Sequence, residues 1–274
     1  MRLVVCEAAP EMVAGDPSWR ALVEAVRRHG PDIVLLNEMP FGAWIAAGER
    51  SDAAVAAESC RRHDDGLRHL GDLGAPVVLG TRAVTESGRT VNQGFVWDAD
   101  RGLLPVHTKQ FFPDEPGYYE ARWFERGETR FHVASARGID VGFLICTEVW
   151  FTEWARHYGR QGAHLIVVPR ATPKASIDNW RTAIRMAAMV SGCYVASSNR
   201  AGADSRGQEF GGHGWIVDPN GQILAETAAE QPVVTAEIDV ERVAAAKTEY
   251  PRYVEDLPKK GDEGRRTPTE GGAE

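Results

Sequence analysis

Three apolar runs in this sequence each end on a residue able to do chemistry: "VLLNE" on Glu38, "LLPVHTK" on Lys109 and "GFLIC" on Cys146. A carboxylate can take and return a proton, an ammonium can hold a developing negative charge, and a thiol can attack a carbonyl carbon. Each residue also has a plain explanation. A cysteine after an apolar strand is commonly a small buried hydrophobe, and a lone Glu or Lys at a strand end is where the chain meets water. Jointly the three are complementary, because a thiol nucleophile needs a base and the oxyanion it creates needs a cation. In open α/β sheets functional groups gather beyond the carboxyl ends of strands, so a shared pocket is a reasonable expectation.

The elements that would carry these residues follow from periodicity and punctuation. "RLVVCEAA" reads as a first strand. "GDPSWRALVEAVRRHG" reads as a helix with Asp16 as N-cap, Pro17 at the first helical position and Gly30 as its stop. "PDIVLLNE" is a second buried strand, residues 51 to 72 a longer polar helix, and "APVVLGTRA" a third strand. "TVNQGFVWDADRGLLPVHTKQ" has the turn chemistry of a hairpin, and the loop "QFFPDEPGYYEARWFERGE" is rich in proline and aromatic residues. The second half repeats the alternation. "FHVASARGIDVGFLIC" is a hairpin, "WFTEWARHYGRQG" a helix and "AHLIVVP" a strand. The helix "SIDNWRTAIRMAAMVSG", with Trp180, Ile184 and Ala187/Ala188 on one face, precedes the strand "CYVASSN". "GGHGWIVDPNGQILAE" is a hairpin with a Pro-Asn-Gly turn, and "PVVTAEID" closes the sheet. Strands and helices alternate with hairpins interposed, which predicts an α/β fold with mixed sheets. No repeat of fixed period and no linker divides the chain, so residues 1–260 are expected as one domain and 261–274 as a disordered tail.

With 274 residues and 43% apolar composition the chain can bury a sizeable core, and a net charge of -8 argues against nucleic acid or an anionic membrane as partner. No apolar run approaches the roughly 18 residues needed to span a bilayer, and Glu7 interrupts the start before a signal-peptide core could form. The four cysteines, Cys6, Cys60, Cys146 and Cys193, lie far apart with no CxxC and no zinc-type spacing. A cytoplasmic protein with reduced thiols is expected.

"DIVLLNEMPFGAW", "HTKQFFPDEPGYYEARWFERGE" and "IDVGFLICTEVWFTEWARHYGRQGAHLIVVPRATP", followed by "NWRTAIRMAAMVSGCYVASSNRAG" and "FGGHGWIVDPNGQILAE", resemble the nitrilase superfamily of carbon–nitrogen hydrolases. The likeness runs from about Arg2 to about Val240, with Glu, Lys and Cys in the family's order. It implies a four-layer α-β-β-α sandwich that pairs into a homodimer or higher homo-oligomer. It also implies Glu38 as general base, Lys109 as oxyanion-stabilising cation, Cys146 as nucleophile and Glu120 as the second glutamate that positions the lysine or substrate. The implied activity is hydrolysis of a linear amide or N-carbamoyl amide through a cysteine acyl-enzyme. Thiol, carboxylate and ammonium fill all three roles, so no metal or organic cofactor is expected. Two departures stand out: Thr147 follows the nucleophile where the family commonly has an aromatic, and "NEMPFG" is unusual after the base. The loop "FFPDEPGYYE" resembles the N-carbamoyl amidase branch, whereas "CTEVWF" does not follow it closely.

The cysteine is expected at a strand-to-helix turn, its sulfur held out while the amides and dipole of the helix near Trp150 favour thiolate and oxyanion. An anionic Glu38 opposes early ionisation, which favours proton transfer at the moment of attack. Glu148 is read as fixing the turn. Thr147, Trp150, Tyr119 and Arg170 are the expected substrate contacts. Arg170, just past "LIVVP", is expected to clamp a substrate carboxylate, which favours an acidic or neutral substrate over one that lid acids Asp114 and Glu115 would attract. His107 or His213 could instead form a Cys–His pair, but His107 shares a strand face with Lys109 and His213 sits in a loop of structural type. His29, His63 and His69 are read as solvated, Cys6 and Cys193 as core. A nitrile hydrolase with the same residues, or a non-catalytic ligand-binding protein of the same fold, are the rival readings.

Overall fold

The computed structural model describes residues 1–256, so the expected tail at 261–274 lies outside the described residues. The first half supplies β1 (Arg2–Ala8), α1 (Pro17–Arg27), β2 (Ile33–Leu35), α2 (Ala53–Leu67), β3 (Val77–Glu86), β4 (Arg89–Asp98), β5 (Gly102–Thr108) and the short α3 (Glu120–Trp123). The second supplies β6 (Ala134–Ala136), β7 (Ile139–Phe143), α4 (Thr152–Arg160), β8 (Leu165–Pro169), α5 (Ile177–Ser191) and β9 (Tyr194–Ala203). It ends with β10 (Glu209–Gly211), β11 (Trp215–Val217), β12 (Ile223–Glu226), β13 (Val233–Glu237) and α6 (Val240–Lys247).

The strands form two mixed sheets of the same make-up. In the first, parallel β1, β2 and β3 are flanked by antiparallel β13 on one side and by β4 and β5 on the other. In the second, parallel β7, β8 and β9 are flanked by antiparallel β6 and by β11 and β12. The ends of β1 and β9 join the two in parallel, Glu7 opposite Asn199 and Ala8 opposite Arg200.

Period-2 alternation explains why the central strands are apolar throughout: both of their faces are buried. Leu3, Val5, Ile33, Leu35, Val77 and Leu79 of one sheet meet Val141, Phe143, Leu165, Val167 and Ala196 of the other in the central core. The alternate residues Val4, Cys6, Val34 and Val78 face outward onto Trp19, Leu22 and Val26 of α1. Ile166, Val168, Val195 and Val217 face outward onto Ala155 and Tyr158 of α4 and Trp180, Ile184, Ala187 and Ala188 of α5. This packing is consistent with the order helices, sheet, sheet, helices that the resemblance implies. Asp16 caps α1 by accepting the Trp19 N–H at 2.7 Å, with Pro17 opening the helix.

Two expectations need correction. The polar helix of 51 to 72 ends at Leu67, and a separate 3₁₀ turn follows over Leu70–Leu73. His63 is not solvated: it is buried, bonds through Nδ1 to the Ser59 carbonyl at 2.7 Å and lies edge-on to Phe41. The buried stripe of α2 is Ala56, Ser59, His63 and Gly66, whose small and polar composition hides it. The aromatic ring of Phe41 fills the space a Cβ on Gly66 would need.

Gly142 has a comparable part on the strand that delivers Cys146. It faces α4, where a Cβ would meet the Tyr158 ring at 2.5–2.7 Å, and the Tyr158 hydroxyl donates to the Phe143 carbonyl at 3.0 Å. Gly142→Ala is therefore expected to destabilise the fold by about 1–3 kcal/mol through overpacking. Urea unfolding checks it: the midpoint should fall with an unchanged slope.

Candidate active site

Glu38 lies three residues beyond β2, where pairing persists through Leu36 N–H to Leu79 O at 2.9 Å. The chain then turns sharply. Met39 adopts a left-handed φ of 43°, its N–H donated to Thr81 Oγ1 at 2.8 Å and its carbonyl taken by the buried guanidinium of Arg200. Lys109 directly follows β5, anchored by its N–H to the Asn92 carbonyl at 2.9 Å. Cys146 comes three residues after β7 and is itself left-handed, with φ 51°. A bulky residue at positive φ is strained, and such residues concentrate at functional sites. Here one is the nucleophile candidate and the other follows the base candidate.

Two of the three strand ends, Glu38 and Lys109, meet directly and are joined by Glu120. Lys109 Nζ donates to Glu38 Oε1 at 2.8 Å and to both Glu120 oxygens at 2.8 and 2.6 Å. All three side chains are buried, at 0–1% exposure. Glu38 Oε1 also accepts from Asn92 Nδ2 at 2.8 Å, while Glu38 Oε2 has no hydrogen-bond partner among the described residues. Burial alone would lower the Lys109 pKa, but the charges of Glu120 and Glu38 outweigh it and hold the ammonium firmly protonated. Burial pushes the Glu120 carboxyl up, Lys109 opposes that, and the charge of Glu38 adds to the rise. Because both Glu120 oxygens accept from the ammonium, the arrangement is that of a carboxylate.

Cys146 is 4% exposed, and its surroundings reach it electrostatically. Burial and the charge of Glu38 push its thiol well above the usual cysteine range, with Lys109 and an Ala171 N–H bond pulling the other way. The expected dipole effect is outweighed. The cysteine itself opens only a five-residue 3₁₀ turn, Cys146–Trp150, before α4 begins. The resting group is a thiol. Within that turn Glu148 N–H bonds to Ile145 O at 3.1 Å, while the Thr147 N–H at the start of the turn has no partner among the described residues.

A cavity of about 410 Å³ opens onto the thiol, within the range of small-ligand sites. Cys146, Thr147 and Trp150 line it, with Trp150 set edge-on to Trp180 at 5.2 Å between centroids. Tyr118 rather than Tyr119 lines the cavity; Tyr119 turns away and carries the Arg122 guanidinium over its ring at 4.4 Å. Arg170 does not reach the cavity either. It is buried beneath Trp215, its guanidinium 4.4 Å from that ring. Its Nε donates to Ser197 Oγ at 2.7 Å, one terminal nitrogen to Thr172 Oγ1 at 2.8 Å and the other to the His213 carbonyl. The expected carboxylate clamp is replaced by a structural arginine.

Neither histidine pairs with the thiol. His107 Nε2 bonds to Glu148 Oε2 at 2.8 Å, and His213 Nδ1 bonds to Glu226 at 2.9 Å. Glu148 holds the turn, as its position suggests, by accepting the Ile145 N–H at 2.7 Å. Asn92 and Arg200 were not anticipated from the sequence. The available signal was an amide or a charge inside an otherwise apolar strand, "TVNQGFVW" for the first and "YVASSNRA" for the second. Thr172, Ser176 and Asn179 also line the cavity, as does the lid, where Asp114 is taken by Arg122 at 2.6 Å and Glu115 has no cation partner among the described residues.

The carbon-nitrogen hydrolase family model matches residues 16–248. An N-carbamoylputrescine amidase of Solanum lycopersicum is 27% identical, covering 82% of this chain and 81% of its own length. A 2-oxoglutaramate amidase of Bacillus subtilis is 29% identical, covering 84% and 86%. Among solved structures, a carbon-nitrogen hydrolase from Helicobacter pylori superposes with a TM-score of 0.80 at 21% identity, covering 92% and 94%. An amidase of Nesterenkonia sp. AN1 carrying an acetamide moiety on its active-site cysteine superposes with a TM-score of 0.73 at 20% identity, covering 89% and 92%. A family match across most of the length, similarity to amidases among the relatives and the same fold in the solved structures agree: this chain belongs to the carbon-nitrogen hydrolase family.

Proposed function

We propose that this enzyme hydrolyses small linear amides or N-carbamoyl amides through an acyl-enzyme on Cys146, a thioester from an amide and a thiocarbamate from an N-carbamoyl substrate. The observation that carries the reading is the asymmetry of Glu38. One of its oxygens is fixed by Lys109 and Asn92, and the other is buried and unpartnered, ready to accept a proton. The thiol proton passes to Glu38 as sulfur attacks the carbonyl carbon. The oxyanion takes up Lys109 Nζ and the Thr147 N–H. Collapse breaks the C–N bond, and Glu38 returns the proton to the departing nitrogen. Glu38 then takes a proton from water, hydroxide adds to the acyl-enzyme, the C–S bond breaks and the thiol regains its proton.

The lining of the cavity bears on the substrate. With Arg170 withdrawn, and apart from Lys109 at the proposed reacting end, no lysine or arginine among the described residues lines it, whereas Glu115 and the indoles of Trp150 and Trp180 do. That favours a neutral or cationic far end, as in the substrate named for the N-carbamoylputrescine amidases, over an acidic one. The four unpaired cysteines suit a reducing, cytoplasmic setting. Pairing into a homodimer remains part of the reading on the strength of the family resemblance.

Cys146→Ala and Cys146→Ser are expected to lower turnover by about 10³-fold or more with the fold intact, whereas Cys193→Ala, a core change, leaves kcat near wild type. Ammonia release across a panel of amides, N-carbamoyl compounds and matched nitriles measures it; turnover near wild type in Cys146→Ala would sink the mechanism. Lys109→Met and Glu38→Gln are expected to lose about 10²–10³-fold in kcat. A raised KM with kcat unchanged in either would show that its role is binding alone. Charge selectivity has its own check. N-carbamoylputrescine is expected to be turned over in preference to N-carbamoyl-β-alanine, with Glu115→Gln raising KM for the cationic compound by up to about fivefold, as befits an exposed charge. Preference for the acidic compound would refute this assignment.

A further inference from the structure

Behind the site lies a buried ion pair that takes no part in the proposed chemistry yet touches both strand ends that do. Glu148 Oε1 accepts the Gln110 N–H at 2.7 Å, and Gln110 is the residue after Lys109. Its Oε2 accepts the Ile145 N–H at 2.7 Å, and Ile145 is the residue before Cys146. The same Oε2 bonds to His107 Nε2 at 2.8 Å. His107 sits two residues before Lys109, and its Nδ1 lies 2.9 Å from the Arg130 carbonyl oxygen. Both ring nitrogens therefore face acceptors, an arrangement that only the imidazolium satisfies with two N–H donors. The pair is 1% and 0% exposed.

We propose that the His107–Glu148 pair is a positioning clasp for the cysteine reaction: one carboxylate spans the Lys109 strand end and the Cys146 turn and sets the separation of ammonium and sulfur. This rests on the reading of Cys146 as nucleophile and Lys109 as oxyanion partner. The two residues belong to different sheets, Lys109 following β5 and Cys146 following β7, so no single ladder fixes their spacing. Glu148 crosses between them. A carboxylate accepting two backbone N–H groups in a dry site needs a counter-charge, and His107 supplies it. The ring is held in place by Phe131, 4.8 Å away between centroids.

The groups around the imidazole decide how the clasp responds to pH. Glu148 faces it from the nucleophile turn, the Arg130 carbonyl from the segment before β6, and Lys109 follows on its own strand. Tyr158 of α4 is uncharged, its hydroxyl kept protonated by burial and by Glu148. Glu120, beyond Gln110, also feels Glu148. Burial opposes the imidazolium, but the charge of Glu148 and the bonds to Glu148 and Arg130 outweigh it and hold His107 above the ordinary histidine range. A folded-state pKa raised in this way keeps the clasp whole at and below the ordinary histidine pKa and releases it as pH climbs through the raised one. Turnover should therefore decline on the alkaline side.

The test compares wild type with His107→Gln, using the fastest amide found by ammonia release, and follows kcat and KM across pH together with thermal melting. His107→Gln is expected to melt cooperatively, to lose about 10–100-fold in kcat with KM within about threefold, and to lack the alkaline decline. A folded His107→Gln with kcat within about twofold of wild type and the same alkaline limb overturns the clasp. Nuclear magnetic resonance of ¹⁵N-histidine-labelled wild type needs no variant: both His107 nitrogens protonated at neutral pH support the clasp, and a neutral ring there refutes it. Activity in Cys146→Ala would overturn the underlying cysteine reading instead, while leaving the His107 signature unchanged.

Discussion

An ammonium group taken out of water must be met by negative charge, and Lys109 is met by two carboxylates. Its three protons point at Glu38 Oε1 and at both oxygens of Glu120, with none of the three side chains exposed by more than 1%. Leaving any one of these charges uncompensated would cost several kcal/mol, so the three segments that bear them cannot shift independently. That constraint reaches back through the fold. Glu38 hangs from the central parallel strands of the first sheet, Lys109 from its antiparallel edge, and Glu120 from the lid. The left-handed Met39 and the Arg200 guanidinium that holds its carbonyl follow from the need to stop the chain abruptly after Glu38.

The proposed nucleophile is placed by a different logic. Cys6 and Cys193 are core thiols that burial pushes up to about 12 and about 11, and burial raises Cys146 as well. Acidity does not distinguish the catalytic candidate from its neighbours; access does. Cys6 and Cys193 donate to backbone carbonyls inside the core, whereas Cys146 turns out of its strand at positive φ onto the cavity wall. A thiol in that position reacts only when something takes its proton during attack, and in the proposed mechanism that makes Glu38 part of the nucleophile rather than an accessory to it.

Much of this was legible in the sequence because the strands are buried on both faces and end where polarity returns. "VLLNE", "LLPVHTK" and "GFLIC" carry that transition openly, and Asp16-Pro17 and Pro-Asn-Gly mark a helix start and a hairpin as local chemistry dictates. What was not legible depends on which of two neighbouring groups wins a tertiary contact. Tyr118 and Tyr119 are alike in sequence, and tertiary contacts separate them: Tyr118 bridges to Glu115, accepts from Gln208 and packs on Trp44. Arg170 stands at a strand end like the candidate catalytic residues, yet Trp215 and Ser197 arrive from later strands and absorb it. In α2 the buried stripe lacks large apolar residues because Phe41 fills the space from outside the helix, so the pattern points to solvent where the fold points to core. Helix α6, rich in alanine and capped by Asp239, packs through Val243 and Ala246 without any contrast strong enough to announce it.

The charge inventory of the site also explains how a dry pocket can host an anionic intermediate. At rest, Glu38 and Glu120 are balanced against Lys109, leaving the buried set one negative charge in excess with the thiol neutral. In the proposed attack the proton moves from sulfur to Glu38 and the negative charge appears on the substrate oxygen. Lys109 loses a charged neighbour in Glu38 at the same moment that it gains one in the oxyanion. The net charge of the buried set, substrate included, does not change, and the ammonium keeps the same number of anionic partners. In a medium of low dielectric, where separating or importing a charge is most costly, that exchange removes the largest electrostatic barrier to the step. It works only if the oxyanion forms where Lys109 can transfer a hydrogen bond without leaving Glu120. The bidentate hold of Glu120 keeps the ammonium anchored through two protons while the third, now given to Glu38, changes partner.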